Sequence, residues 1–151
     1  MGRAMKLTPH FTLEELIVSE TAARGGWDNT PGPTEQANLV RVAELLEKVR
    51  GLFLSPIIVT SGYRSKKVND AVGSKDSSQH RLGCAADIKI VGYTPDEVCN
   101  KILDSGILFD QLIREYNSWT HISVPNDPDG EYRKQALIID RAGTRLFIRG
   151  K

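Results

Sequence analysis

Histidine and cysteine are scarce in this chain. Among 151 residues there are three histidines (His10, His80 and His121) and two cysteines, Cys84 and Cys99. The two cysteines show no metal-like or redox-like spacing, which excludes a disulfide scaffold or a cysteine-built zinc module. Both read as buried thiols, in keeping with synthesis in a reducing compartment. An excess of charge of either sign is also missing. Twenty basic against 19 acidic residues leave a formal charge of +1, which argues against a dedicated nucleic-acid binder. No run approaches the roughly 18 to 20 apolar residues of a membrane span. The opening stretch MGRAMKLTPHF lacks the apolar core of a signal peptide. The expectation is a monomer made in the cytoplasm, without nucleic-acid partners or membrane insertion. Some other route, such as release through a holin, would carry it to any substrate outside.

What is present suits one globular domain over 1–151, with 40% hydrophobic residues to build a core. Thr12 followed by Glu14 and Glu15 reads as a helix start. A Gly- and Pro-rich loop runs from Gly25 to Pro33. Thr34 could cap a helix reaching about Leu52, with Ala37, Val40, Leu45, Leu46 and Val49 as its buried stripe. Pro56–Thr60 reads as a strand, Lys66–Val72 as a short helix stopped by Gly73, and Ser74–Gln79 as a polar loop. Ala85–Ile90 reads as a second strand. Thr94-Pro95-Asp96-Glu97 combines a cap, Pro at the first position and Glu three residues after the cap, so a helix should run to Ser105-Gly106. Gln111–Tyr116 and Trp119–Val124 suit a hairpin, and Lys134–Asp140 a further strand. The fold class expected is α+β, with helices packed on a mainly antiparallel sheet.

Two of the histidines fall where strands meet loops. His80 precedes a strand that carries Asp87, and His121 lies in the second arm of the hairpin. Imidazole nitrogen and carboxylate oxygen both bind zinc well, and three protein ligands leave a fourth position for water. Water so placed ionises near pH ~7, against ~15.7 in bulk. Asp87 stands in an apolar run between Ala86 and Ile88, where an unpartnered carboxylate is costly. A metal, an arginine or backbone donors could each supply the partner.

Three motifs then occur in order. Ser78-Gln79-His80-Arg81-Leu82-Gly83-Cys84-Ala85-Ala86-Asp87 fits S-x-H-x-x-G-x-A-x-D. Ser61-Gly62-Tyr63-Arg64-Ser65 lies upstream, and Trp119-Thr120-His121-Ile122-Ser123 downstream. Together they resemble the zinc D-alanyl-D-alanine carboxypeptidases and the related phage endolysins, which share a fold with the Hedgehog signalling domain. The resemblance covers about residues 7–125, leaving 126–151 as a C-terminal strand and tail. It implies a zinc peptidase that cuts peptide bonds in peptidoglycan stem peptides, either as a carboxypeptidase or as an endolysin-type endopeptidase in phage-type lysis. It also implies one zinc ion on His80, Asp87 and His121. Arg64 would bind substrate and polarise the scissile carbonyl, Ser78 would bind substrate or cap the local turn, and Gly83 would permit that turn. A zinc-containing wall-binding module without catalysis is the alternative.

The general base departs from part of that family, which carries E-x-x-H at the last ligand. Ser118 occupies the acidic position here. The resemblance to short phage-type members implies Glu115 instead, with Asp110 as fallback. Strand alternation puts Ile113 and Glu115 on one face, and Trp119, His121 and Ser123 on one face. A three-residue turn, Asn117-Ser118-Trp119, would set Glu115 opposite His121; a two-residue turn would set Arg114 there. The first is expected, because hydrolysis needs a proton acceptor beside the reacting water. His10 reads as a surface residue. Trp27 and Trp119 could each line a cleft or pack below the sheet.

Overall fold

The computed structural model describes residues 5–75 and 77–148. The first part of the basic N-terminal stretch, Asp76 of the polar loop and the end of the tail therefore lie outside the described residues. In chain order the elements are β1 (Lys6–Thr8), β2 (Phe11–Thr12), α1 (Leu13–Ile17), α2 (Glu20–Gly25), α3 (Pro33–Phe53), β3 (Ile57–Ser61) and α4 (Lys66–Ala71). There follow α5 (Gln79–Leu82), β4 (Ala85–Ile90), α6 (Pro95–Ser105), β5 (Gln111–Glu115), β6 (Trp119–Ser123), β7 (Gln135–Asp140) and β8 (Gly143–Leu146). This is the expected α+β arrangement.

Six strands form one sheet in the order β3-β4-β6-β5-β7-β8. All neighbours are antiparallel except β5 and β7, which run parallel. A separate two-stranded ribbon, β1-β2, leads into α1. The register places Ser61, Asp87, His121 and Ile113 side by side across β3, β4, β6 and β5. Paired residues share a face, so Asp87 and His121 emerge on the same side of the sheet. Their neighbours Ala86, Ile88, Ile122 and Leu112 point the other way, into the core beneath α3.

The helix starts follow from local chemistry. Thr12 and Thr94 each form a capping box, with Glu15 and Glu97 respectively. The long helix α3 opens two residues before the expected cap, on Gly32 with Pro33 as its first residue. Its buried stripe keeps the expected Leu45, Leu46 and Val49 but takes Leu39 and Val42 in place of Ala37 and Val40. Leu39, Val42, Ala43, Leu46, Val49 and Phe53 face the sheet, whereas Ala37 is exposed and Val40 only half-buried. The core of the fold decides which face turns inward, and Leu39 and Val42 supply more buried apolar area than Ala37. Cys84 and Cys99 are buried free thiols. Burial and the nearby Asp96 push the Cys99 thiol up to about 12, so it stays protonated and inert. Among the described residues no helix is long and apolar enough to cross a membrane.

Candidate metal centre

His80 rides on α5, a single turn that replaces the end of the expected polar loop. Ser78 caps that turn, its hydroxyl accepting from the His80 backbone N–H at 3.3 Å. Gly83 ends it in the left-handed region at φ 75°. A Cβ there would also lie 2.6 Å from the carbonyl oxygen of Glu35, so glycine serves both the turn and the close approach. The His80 ring is oriented by Nδ1, 2.7 Å from the carbonyl oxygen of Gly62. That bond makes Nδ1 the donor and turns Nε2 toward Asp87, 3.2 Å from Oδ1. From the neighbouring strand, His121 Nδ1 approaches the same Oδ1 at 3.0 Å.

The three side chains are buried, and their ligand atoms lie within 4.8 Å of one another. The two imidazole rings stand edge-on, with centroids 5.0 Å apart. Burial alone would raise the Asp87 pKa. The charges and hydrogen bonds of His80 and His121 outweigh it and hold the carboxyl well below the usual carboxylate range. Burial pushes His80 the other way, toward the neutral imidazole that binds a metal, against the pull of Asp87. Two nitrogens and one oxygen, converging on one point with the His80 tautomer fixed from outside, form a donor set that fits zinc.

Arg64 stands at the edge of this group. Its Nη2 is 3.5 Å from Asp87 Oδ2, while Nε and Nη1 donate to the hydroxyls of Ser61 and Ser74 at 3.2 and 3.4 Å. The segment carrying it is stitched down on both sides. Tyr63 N donates to the Leu16 carbonyl at 2.7 Å, and Arg64 N to the His80 carbonyl at 3.0 Å. Asn29 adds a clamp that sequence reading passed over. Its amide donates to the carbonyls of Ile17 and Tyr63, and its oxygen accepts from Ser65 N. An asparagine in a Gly- and Pro-rich loop carries no signal of that long-range role.

The hairpin differs from both expected turns. Its loop is Tyr116-Asn117-Ser118, so Glu115 pairs with Trp119, Arg114 with Thr120, and Ile113 stands opposite His121. Tyr116 and Asn117 both adopt φ of 52°, and Tyr116 N donates to the Ile139 carbonyl of β7 at 2.8 Å. Glu115 nevertheless shares a face with His121 and reaches it diagonally, Oε1 to Nδ1 at 3.9 Å. Burial, followed by the Asp87 charge, raises the Glu115 pKa. His121, the Trp119 indole N–H and Arg64 oppose that rise, although the indole meets no partner at strict hydrogen-bonding geometry.

Asp110, the fallback acid, is engaged elsewhere. Arg133 grips its carboxylate through Nε and Nη2, the Arg133 backbone N–H adds a third donor, and Gln79 a fourth. His10 lies on the surface, as expected, with its ring 2.8 Å from Glu47.

A comparison with curated proteins found no match. The family profile described as Peptidase M15 matches residues 9–123. The matched span holds His80, Asp87, His121, Arg64, Ser78 and Glu115, and it ends before the C-terminal strands. Covering well over half the chain, the match identifies this protein as a member of the Peptidase M15 family, a zinc D-alanyl-D-alanine carboxypeptidase-like family.

Proposed function

We propose that the protein is a zinc peptidase that hydrolyses peptide bonds in peptidoglycan stem peptides, in the manner of a phage-type cell-wall lytic enzyme. The observation that carries this reading is the convergence of His80, Asp87 and His121 with a half-buried acid and an arginine at one point of the sheet. His80 would hold zinc through Nε2, His121 through Nδ1, and Asp87 through its carboxylate. When bound, the ion supplies Lewis-acid polarisation of a carbonyl and water reactive near neutral pH.

The chain's own groups do the rest. Glu115, its pKa raised by burial, takes a proton from the attacking water and gives it to the leaving amine as the C–N bond breaks. Arg64 offers the scissile carbonyl a charged donor whose other nitrogens are already oriented by Ser61 and Ser74. Ser78, besides capping α5, borders the cavity beside His121 and is the substrate contact on that side.

The test is incubation of zinc-loaded protein with purified peptidoglycan, reading newly released amines, beside the Glu115→Ala variant. Release by the parent and loss in a variant that keeps its zinc support hydrolysis. No release by the fully loaded parent, with retention on the wall, would instead favour a zinc-containing binding module. That second reading draws on Ser118, which stands where many members carry the acid.

A further inference from the structure

The row Ser61, Asp87, His121, Ile113 crosses four strands. At about 4.8 Å per strand the row spans roughly 14 Å, the length of about four residues of extended peptide. The metal-binding residues occupy its middle. Beyond the Ser61 end lies a cavity of about 520 Å³, bordered by Arg64, Thr60 and the valines Val18, Val59, Val68 and Val72. Beyond the Ile113 end lies another of about 570 Å³, bordered by His121, Ser78, Asn126, Glu131 and Arg133. Each falls within the ~300 to 1,000 Å³ that accommodates a ligand several residues long. The row thus has a cavity at each end, with Arg64 bordering one and residues 125–133 the other.

The outer wall of the second cavity is a hook formed by residues 125–133, beyond the family-matched span. It is held on three sides. Arg41 Nη2 donates to the Pro125 carbonyl at 2.8 Å, and Gln79 Nε2 to Asn126 Oδ1 at 2.9 Å. Arg133 locks onto the buried Asp110, with Nη2 to Oδ2 at 2.6 Å. Gly130 N closes the tip onto the Asp127 carbonyl at 2.9 Å, where a Cβ on Gly130 would already crowd that oxygen at 3.0 Å. Two of these anchors, Gln79 and Asp110, are buried, so the wall is built into the fold.

We infer that this groove holds peptide on both sides of the metal centre, and that the protein cuts an internal bond rather than trimming a terminal residue. The hook forms the subsite on the Ile113 side. The inference rests on the peptidase reading above and deepens it. Water adds its oxygen to an internal carbonyl, the C–N bond breaks, and the proton passes to the new amino group, leaving two peptides. Contacts remote from the reacting atoms are what raise turnover of long substrates over short ones.

The experiment uses zinc-loaded protein and two synthetic stem peptides. One extends at least two residues on each side of the bond that is cut; the other is shortened to one residue on each side. The expected result is a kcat/KM about tenfold higher for the long peptide, with two multi-residue fragments by mass spectrometry. Glu131→Trp, which puts a bulky ring on the exposed rim of the hook cavity, should bring the ratio below about threefold. Equal rates on both peptides, free single amino acids as the only product, or an unchanged ratio in Glu131→Trp would each overturn the inference while leaving the peptidase reading intact. If the parent cuts neither peptide, that reading fails instead. Calorimetric binding of the two peptides then decides the groove: tighter binding of the long one supports it, and equal binding sinks it.

Discussion

Glu115 approaches His121 from one rung away: its Oε1 lies 3.9 Å from Nδ1, while its paired residue across the hairpin is Trp119. A diagonal reach of this kind leaves the carboxylate beside His80, Asp87 and His121 but outside the three residues that could hold a metal ion. Glu115→Gln should therefore lower kcat by roughly 10²- to 10⁴-fold and leave zinc content unchanged. Metal analysis of the purified variant together with amine release checks both halves. Loss of zinc in step with activity would show that Glu115 holds the ion instead.

Arg64 divides its nitrogens among Ser61, Ser74 and Asp87. A lysine keeps the charge but cannot reproduce that planar fork. Arg64→Lys should lose about tenfold or more in kcat/KM, with little change in melting temperature. Steady-state kinetics on a soluble muropeptide would show it, and full activity in the lysine variant would contradict the role.

Gly62 has no room for a side chain. A Cβ would lie 2.1 Å from the Leu16 carbonyl oxygen, in a segment whose own carbonyl orients His80. Gly62→Ala should destabilise the fold by about 1–3 kcal/mol and weaken zinc roughly 10- to 100-fold through the displaced carbonyl. Denaturant unfolding and a chelator competition read the two effects separately.

Asp110 gives a pH signature. Burial raises its pKa, but the hydrogen bonds and charge of Arg133, with Gln79, outweigh that and hold it below the ordinary value. The folded pKa being depressed, the stabilisation is fully present above the unfolded pKa of about 3.9. It is lost as pH falls through the lower folded value. Asp110→Asn should cost about 1–3 kcal/mol near neutrality, an amount moderated because Arg133 is half exposed. Urea titrations of parent and variant should stay separated down to pH ~4 and draw together only as the pH falls further.

Chelation distinguishes a catalytic ion from one the fold depends on. The core of Leu39, Leu46, Ile88, Leu112 and Ile122 lies on the opposite face of the sheet from Asp87 and His121. Removing zinc should abolish activity and lower the melting temperature by roughly 10 °C, from a linkage of about 4 kcal/mol at a thousandfold excess over Kd. The far-UV dichroism at 25 °C should persist. Its collapse on chelation would make the ion structural.

The legible parts of the sequence were those whose cause is local. Thr94, Pro95 and Glu97 announce α6 within four residues, and the β-branched run Ile57–Thr60 announces β3. The three motif segments hold His80, Asp87, His121, Arg64 and Ser61, which the structure brings together, while Glu115 lies outside them. What escaped depends on distant partners. The hairpin register turns on Tyr116, whose positive φ goes with a bond to Ile139 in β7, and nothing near Asn117 signals it. The parallel pairing of β5 with β7, the one-turn α5 and the clamp from Asn29 are likewise set by tertiary contacts. On α3 the expected Leu45, Leu46 and Val49 are buried, but Ala37 and Val40 fit helical spacing as well as Leu39 and Val42 do, and the sheet buries the latter pair.

The side-by-side row of Ser61, Asp87 and His121 makes strand alignment and metal affinity one variable. Sliding β4 against β6 by a single residue would swing Asp87 to the opposite surface of the sheet and leave two imidazoles alone. Only the correctly aligned chain offers all three donors together, so a zinc ion held by them during refolding would act as a proofreader, rewarding that alignment and leaving slipped pairings unsupported.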